Sequence, residues 1–140
     1  LAQFAALADP TRRDMVALQI LLNLLTNATK FTEPGGHISV ECVTEPERVM
    51  IRVHDTGPGI PANQVDRIFE PFVQLERSLT NTVQGTGLGL AISRDLARGM
   101  GGDLAVESIV GVGSTFTITL PLASGSVVSR ASATAGVESR

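Results

Sequence analysis

The chain has 140 residues, is 43% apolar, and carries a formal charge of −3 from 11 basic and 14 acidic residues. That length suits one globular domain with an ample core and excludes wholesale disorder. Five Phe with no Trp or Tyr leave no stacking platform for single strands, and the acidic balance argues against a nucleic-acid partner. The single cysteine, Cys42, excludes an internal disulfide and points to a reducing compartment. Flanked by Val40 and Val43, it reads as a small core residue rather than a nucleophile. No apolar run approaches the ~18 residues that span a bilayer. The segment itself is therefore expected to be soluble and cytoplasmic, whatever the anchoring of its parent. It opens on Leu1 rather than Met, as a piece excised from a longer protein would.

In chain order, residues 5–8 read as a short strand and Asp9-Pro10-Thr11 as a helix start. Met15, Leu18, Leu22, Leu25 and Thr29 recur at three- and four-residue steps, which predicts a helix over 11–31 with that stripe buried. Pro34-Gly35-Gly36 ends it. Ile38, Val40 and Cys42 alternate with polar residues, as do Val49, Ile51 and Val53, predicting two strands joined as a hairpin through 44–47. A turn follows at 56–61, then a short helix over 62–69 and a polar loop over 73–84. A second long helix is predicted over 88–100, stopped by Gly101-Gly102. Residues 104–107 and 115–120 predict a closing pair of strands. Beyond Pro121 the composition turns to Ser, Ala, Gly and Val without period, so 1–122 is expected as one domain and 123–140 as a flexible tail or linker. The class is α+β: a two-layer sandwich of a mixed, mostly antiparallel sheet with helices on one face.

Three stretches carry chemistry. Asn23, Asn27, Lys30 and Phe31 fall at i, i+4, i+7 and i+8, on neighbouring parts of one helical face. Asn is a poor helix residue because its side chain competes for backbone hydrogen bonds, so the pair marks either a polar site or an incidental solvated face. Asp55 shares a strand side with Val49, Ile51 and Val53, and a carboxylate there is costly unless something donates to it. A purine amino group suits that role, with Gly57 and Gly59 letting a flat ligand approach; the other reading is an Asp that caps its own turn. Gly85-Thr86-Gly87-Leu88-Gly89-Leu90 opens the second long helix, where exposed N–H groups and the positive dipole end suit a phosphate. Its spacing misses the dinucleotide fingerprint and no Walker-type Lys follows.

Taken in order, the Asn-rich helix, Asp55-Thr56-Gly57-Pro58-Gly59, Phe69-Glu70-Pro71-Phe72 and Gly85-Thr86-Gly87-Leu88-Gly89-Leu90 resemble the N, G1, F and G2 boxes of sensor histidine kinases. The likeness spans about Asp9 to Pro121, with Gly113-Ser114-Thr115-Phe116 through Leu120-Pro121 matching the last strand. It implies the ATP-binding sandwich shared with gyrase, the Hsp90 chaperones and mismatch-repair ATPases, with ATP and Mg²⁺ as cofactors. By position, Asn27 would give its amide oxygen to the metal. Asn23 would sit beside the phosphate–metal cluster, Lys30 would contact phosphate and Phe31 would flank the nucleotide. Asp55 would accept the adenine amine, with Gly57, Gly59 and Ile60 shaping the pocket. Gly85, Thr86, Gly87, Leu88, Gly89 and Leu90 would form a lid over the triphosphate, anchored at its other end by Phe69 and Phe72. Thr115 would lie near adenine, although alternation sets it opposite the core-facing Phe116, Ile118 and Leu120.

The resemblance also bears on the reaction. ATPases of the superfamily carry a Glu one turn before the metal-binding Asn, where it activates water; Asn23 has no basic lone pair for that. Phosphate would then wait for a protein nucleophile. Neither His37 nor His54 matches the acceptor, which is expected on a dimerisation and phosphotransfer domain preceding Leu1 in a homodimeric parent. A response regulator receiver domain would take the phosphate onward. In the lid, Gln74 stands where many kinases have an Arg; Arg77 is the nearest cation, either a substitute or a solvated charge. The alternatives are a serine kinase or ATPase on the same scaffold, and an ATP sensor that transfers nothing.

Overall fold

The computed structural model describes residues 12–71, 89–122 and 129–137. Helix α1 spans Arg12–Phe31, and strands β1 (His37–Thr44) and β2 (Arg48–Asp55) follow as a hairpin. Two short 3-10 turns, Ala62–Gln64 and Arg67–Phe69, replace the single helix expected there. Helix α2 spans Gly89–Gly99, followed by β3 (Asp103–Ile109), β4 (Gly113–Pro121) and β5 (Ser129–Gly136). The expected strand at 5–8 lies outside the described residues.

The five strands form one sheet in the order β3-β4-β2-β1-β5, and every neighbouring pair is antiparallel. Alternation sorts its two faces. Val53, Phe116, Ile118, Leu120 and Leu104 are buried on the inner face, with Ile38, Val40, Val49, Ile51 and Val106 packed against them. Cys42 lies half-buried on the same side of β1 as Val40. The other face carries polar side chains, including the Arg52–Glu41 ion pair at 3.4 Å. Both helices cover the inner face: Ile20, Leu24 and Ala28 of α1 and Ala97 of α2 complete the core. This is the two-layer α+β sandwich that the sequence predicts.

Two further expectations need correction. The buried stripe of α1 is Ile20, Leu24 and Ala28, while Met15, Leu18 and Leu22 are 50–58% exposed. Leu18, Leu22 and Leu25 supply one apolar stripe at helical spacing and Val16, Ile20 and Leu24 another, so periodicity alone could not choose between them. The second correction concerns 123–140, expected wholly as tail: Ser129–Gly136 is an edge strand whose register on β1 runs from Gly136 opposite His37 to Ser129 opposite Thr44. Its small residues gave no hydrophobic alternation to read, yet main-chain pairing requires none. Its end is tied back by Gly35 N–H to the Val137 carbonyl and Val137 N–H to the Gly36 carbonyl.

The end of α2 follows its sequence signal. Gly102 N–H reaches the Ala97 carbonyl and Gly101 N–H that of Arg98, the paired bonds of a Schellman stop. Asp103, opening β3, then accepts from Arg98 at 2.9 Å and lies 3.6 Å from Arg94. The corrected orientation of α1 is testable by paired substitutions. Leu24→Ala should cost about 2–5 kcal/mol of unfolding free energy, whereas Leu22→Ala should stay within roughly 0.5 kcal/mol of the parent. Urea unfolding followed by circular dichroism measures both, and equal losses would contradict the packing described.

Candidate functional site: a buried aspartate beside an amide-bearing helix

Asp55 closes β2 on its inner face and is only 6% exposed. Its carboxylate Oδ1 accepts the Gly57 N–H at 2.9 Å, and the Ser114 main chain lies opposite it in the β2–β4 register. Burial pushes the carboxyl above the ordinary carboxylate value; the Gly57 N–H, the nearby His54 and the Ser114 main chain pull the other way and do not cancel it. A half-compensated buried carboxylate is a place where a further donor is favourable.

The loop after Asp55 is held against the β3–β4 turn. Gly111 N–H donates to the Pro58 carbonyl at 2.9 Å, and Ile60 N–H donates to Ser108 Oγ at 2.7 Å. Gly59 adopts φ +80°, and a Cβ there would collide with the Ile109 carbonyl. Gly113 adopts φ +148°, and a Cβ there would collide with the carbonyl of Asp55 itself. Both positions thus need glycine for conformation and for clearance. Gly57 lies against the Phe31 carbonyl, which joins the end of α1 to the Asp55 turn.

Asn23, Asn27 and Lys30 lie half-buried on the flank of α1, beside its core stripe. Asn23 Nδ2 donates to Ser93 Oγ of α2 at 3.0 Å, and its amide abuts Gly89, the first residue of that helix. Lys30 is partly desolvated, which lowers its pKa, and its Nζ lies 5.1 Å from the Phe31 ring centre. Leu90 packs half-buried against the core. Phe69 also packs on the core, with the Arg94 guanidinium 4.3 Å above its ring centre. The structure therefore joins the Asn flank to the start of α2 and the end of α1 to the Asp55 turn. Phe72, Arg77, Gly85, Thr86, Gly87 and Leu88, with Gln74, lie outside the described residues. The groove lined by Arg12, Met15, Val16, Gln19 and Leu96 holds none of the predicted site residues.

Thr115 does not join Asp55. Its side chain is on the outer face of β4, where its Oγ1 lies 2.8 Å from His54 Nδ1. The residue that does face Asp55 is Ser114, directly across in the β2–β4 register and 5% exposed. Sequence reasoning missed it, although the signal was present: Ser114 is in phase with Phe116, Ile118 and Leu120 on a period of two. Ser108 and Ser93 were missed for a different reason. Nothing in a lone serine within a strand or helix distinguishes a hydrogen-bond hub from a small filler.

In chemical terms, a buried acceptor lies at one side of the site, with neutral amides and a lysine on the adjoining helix. It can bind a flat ring bearing an amine and an attached anion. Asn23 offers no base for activating water. Residues 14–124 match the family described as histidine kinase-, DNA gyrase B-, and HSP90-like ATPase. The chain is 46% identical over 114 residues to the circadian input-output histidine kinase CikA of Synechococcus elongatus, covering 81% of this chain and 15% of that protein. It is 47% identical over 114 residues to the sensor histidine kinase RcsC of Escherichia coli, covering 81% and 12%. Among solved structures, full-length ShkA in complex with AMPPNP aligns with a TM-score of 0.66 at 41% identity, covering 80% of this chain and 22% of that one. The chain thus spans less than a fifth of the length of the two curated relatives. On that footing it belongs to the histidine kinase-, DNA gyrase B-, and HSP90-like ATPase family.

Proposed function

We propose that this chain is the ATP- and Mg²⁺-binding catalytic domain of a two-component sensor histidine kinase. It would donate the γ-phosphate to a histidine on the dimerisation and phosphotransfer domain of its homodimeric parent, for relay to a response regulator receiver domain. The observation that carries the reading is Asp55: a carboxylate buried at the end of β2, held by the Gly57 N–H and with its pKa raised by burial. The adenine amine is the donor that would complete it, a bond to a charged acceptor worth about 1.5–3 kcal/mol.

The other residues divide the triphosphate's needs. Lys30 would pair with phosphate oxygens, and Phe31, 39% exposed beside the Asp55 turn, would flank the nucleotide. Among the described residues no cluster of three His, Cys, Asp or Glu could hold a metal ion. Mg²⁺ keeps several of its waters and binds through one or two protein oxygens plus substrate phosphates. Asn27, half-buried one turn beyond Asn23, would provide the amide oxygen. When bound, the ion would offset phosphate charge. Gly85, Thr86, Gly87, Leu88, Gly89 and Leu90 would enclose the triphosphate, with Phe72 at the far end and Arg77 supplying a cation that Gln74 does not.

Asn23 supports a transferase over a hydrolase. Its amide is already committed to Ser93 and the start of α2, and it lacks the proton affinity of a glutamate. The domain is assigned to the cytoplasmic side, where ATP is available; among the described residues no helix is long and apolar enough to cross a membrane.

Three outcomes are expected. Titration calorimetry with ATP and Mg²⁺ should show binding, and Asp55→Asn should weaken it at least about tenfold; unchanged affinity would remove the role given to Asp55. Affinity should also fall as pH drops through the raised Asp55 pKa, because protonation removes the charged acceptor, and Asp55→Asn should flatten that profile. Linkage gives the opposite sign for the empty domain: the folded carboxyl holds its proton more tightly, so its contribution to stability is full below the ordinary carboxylate pKa and declines as pH rises to the folded value. Finally, the domain mixed with its parent's phosphotransfer domain and ATP should yield acid-labile, base-stable phosphate on that partner. Steady release of free phosphate without it would instead indicate an ATPase.

A further inference from the structure

The Ser108 hydroxyl on β3 has three polar neighbours. Ile60 N–H donates to it at 2.7 Å, the Gly113 carbonyl lies 3.0 Å away, and Ser114 Oγ lies 2.7 Å away. A serine hydroxyl has one proton to give and two lone pairs to accept with. Ile60 N–H can only donate and the Gly113 carbonyl can only accept, so the Ser108 proton goes to Gly113. Ser114 then donates its own proton to Ser108, the one arrangement that satisfies every group present. What remains on Ser114 is lone pairs alone, directly across the sheet from the Asp55 carboxylate and on the same face.

We propose that Ser108 is a specificity-determining positioning residue for the nucleotide base: by taking the Ser114 proton, it makes the wall beside Asp55 purely hydrogen-bond accepting. This rests on the ATP-binding reading above and extends it. Adenine carries an amine at the ring position where guanine carries a carbonyl. A free Ser114 could rotate its O–H toward that carbonyl and accommodate guanine; a Ser114 committed to Ser108 cannot. A buried site of one polarity rejects the opposite group because both are left unpaired. Ser108 itself is placed behind this wall and acts through Ser114, while also holding Ile60 at the end of the Asp55 loop.

The test is titration calorimetry of the whole chain with ATP and, separately, GTP, each with Mg²⁺. Ser108→Ala should lower the ATP-to-GTP affinity ratio about tenfold, and Ser108→Thr, which keeps the hydroxyl on a strand, should restore it. Ser114→Ala should lower the ratio similarly, with no further fall when Ser108→Ala is added. Equal loss of both nucleotides in Ser108→Ala, with the ratio unchanged, would show a structural role only and overturn the proposal, as would failure of Ser108→Thr to rescue. Should Ser108→Ala not fold, Ser114→Ala decides: an unchanged ratio overturns the proposal. A parent chain that binds neither nucleotide overturns the ATP-binding reading and this inference with it, whereas a parent that prefers ATP beside an indifferent Ser108→Ala overturns this inference alone.

Discussion

A carboxylate buried at the end of a central strand is the constraint around which the rest of this fold is arranged. Removing a charge from water costs several kcal/mol unless hydrogen bonds replace the solvent. Asp55 accepts one from the Gly57 N–H, a main-chain donor, so that compensation is fixed by backbone geometry rather than by a rotatable side chain. That geometry in turn demands the close passage of β4 past the Asp55 carbonyl, where only Gly113 fits. It also demands the turn at Gly59 that presses on Ile109. The glycines around the aspartate are therefore conditions for its burial as much as room for a ligand.

A second consequence is that the loop after Asp55 is not independent of the sheet's far hairpin. Pro58 is bonded to Gly111 and Ile60 to Ser108, so β3 and β4 brace a loop that follows β2 in sequence. Residues nearly fifty positions apart thus share one hydrogen-bonded unit. Such non-local polar networks are strengthened by their low-dielectric surroundings and lose disproportionately when one member is removed.

Much of this was legible in the chain. Alternation at Val49, Ile51 and Val53 places Asp55 inward, and the register confirms that side. The Gly101-Gly102 stop and the β1–β2 hairpin follow from turn chemistry and period. The orientation of α1 was not legible, because its apolar residues offer two stripes and only the tertiary contacts of Ile20, Leu24 and Ala28 decide which is buried. Strand β5 was hidden because edge pairing is made by backbone groups, to which Ser and Ala contribute no pattern. Thr115 and Ser114 show the more instructive failure. A family position suggested Thr115, whereas strand period set Thr115 away from the core-facing residues, and that is where the structure has it, beside His54, with Ser114 facing Asp55 instead.

The helices complete the argument from the other side. Phe69 lies under Arg94, whose guanidinium is also near Asp103, so the stretch before residue 72 is fastened to the middle of α2. Gly89, which follows residue 88, abuts Asn23, and Ser93 one turn later accepts from the same amide. The two described ends that flank 72–88 are therefore fixed to one helix, and that helix is fixed to the Asn-bearing flank of α1. The Phe31 carbonyl, at the end of α1, meets Gly57 of the Asp55 turn. Aspartate, amides and the start of α2 are thus connected through contacts that each leave little slack. A ligand bridging Asp55 and the Asn flank would meet a frame assembled before it arrives, so less of its binding free energy would go into ordering the protein.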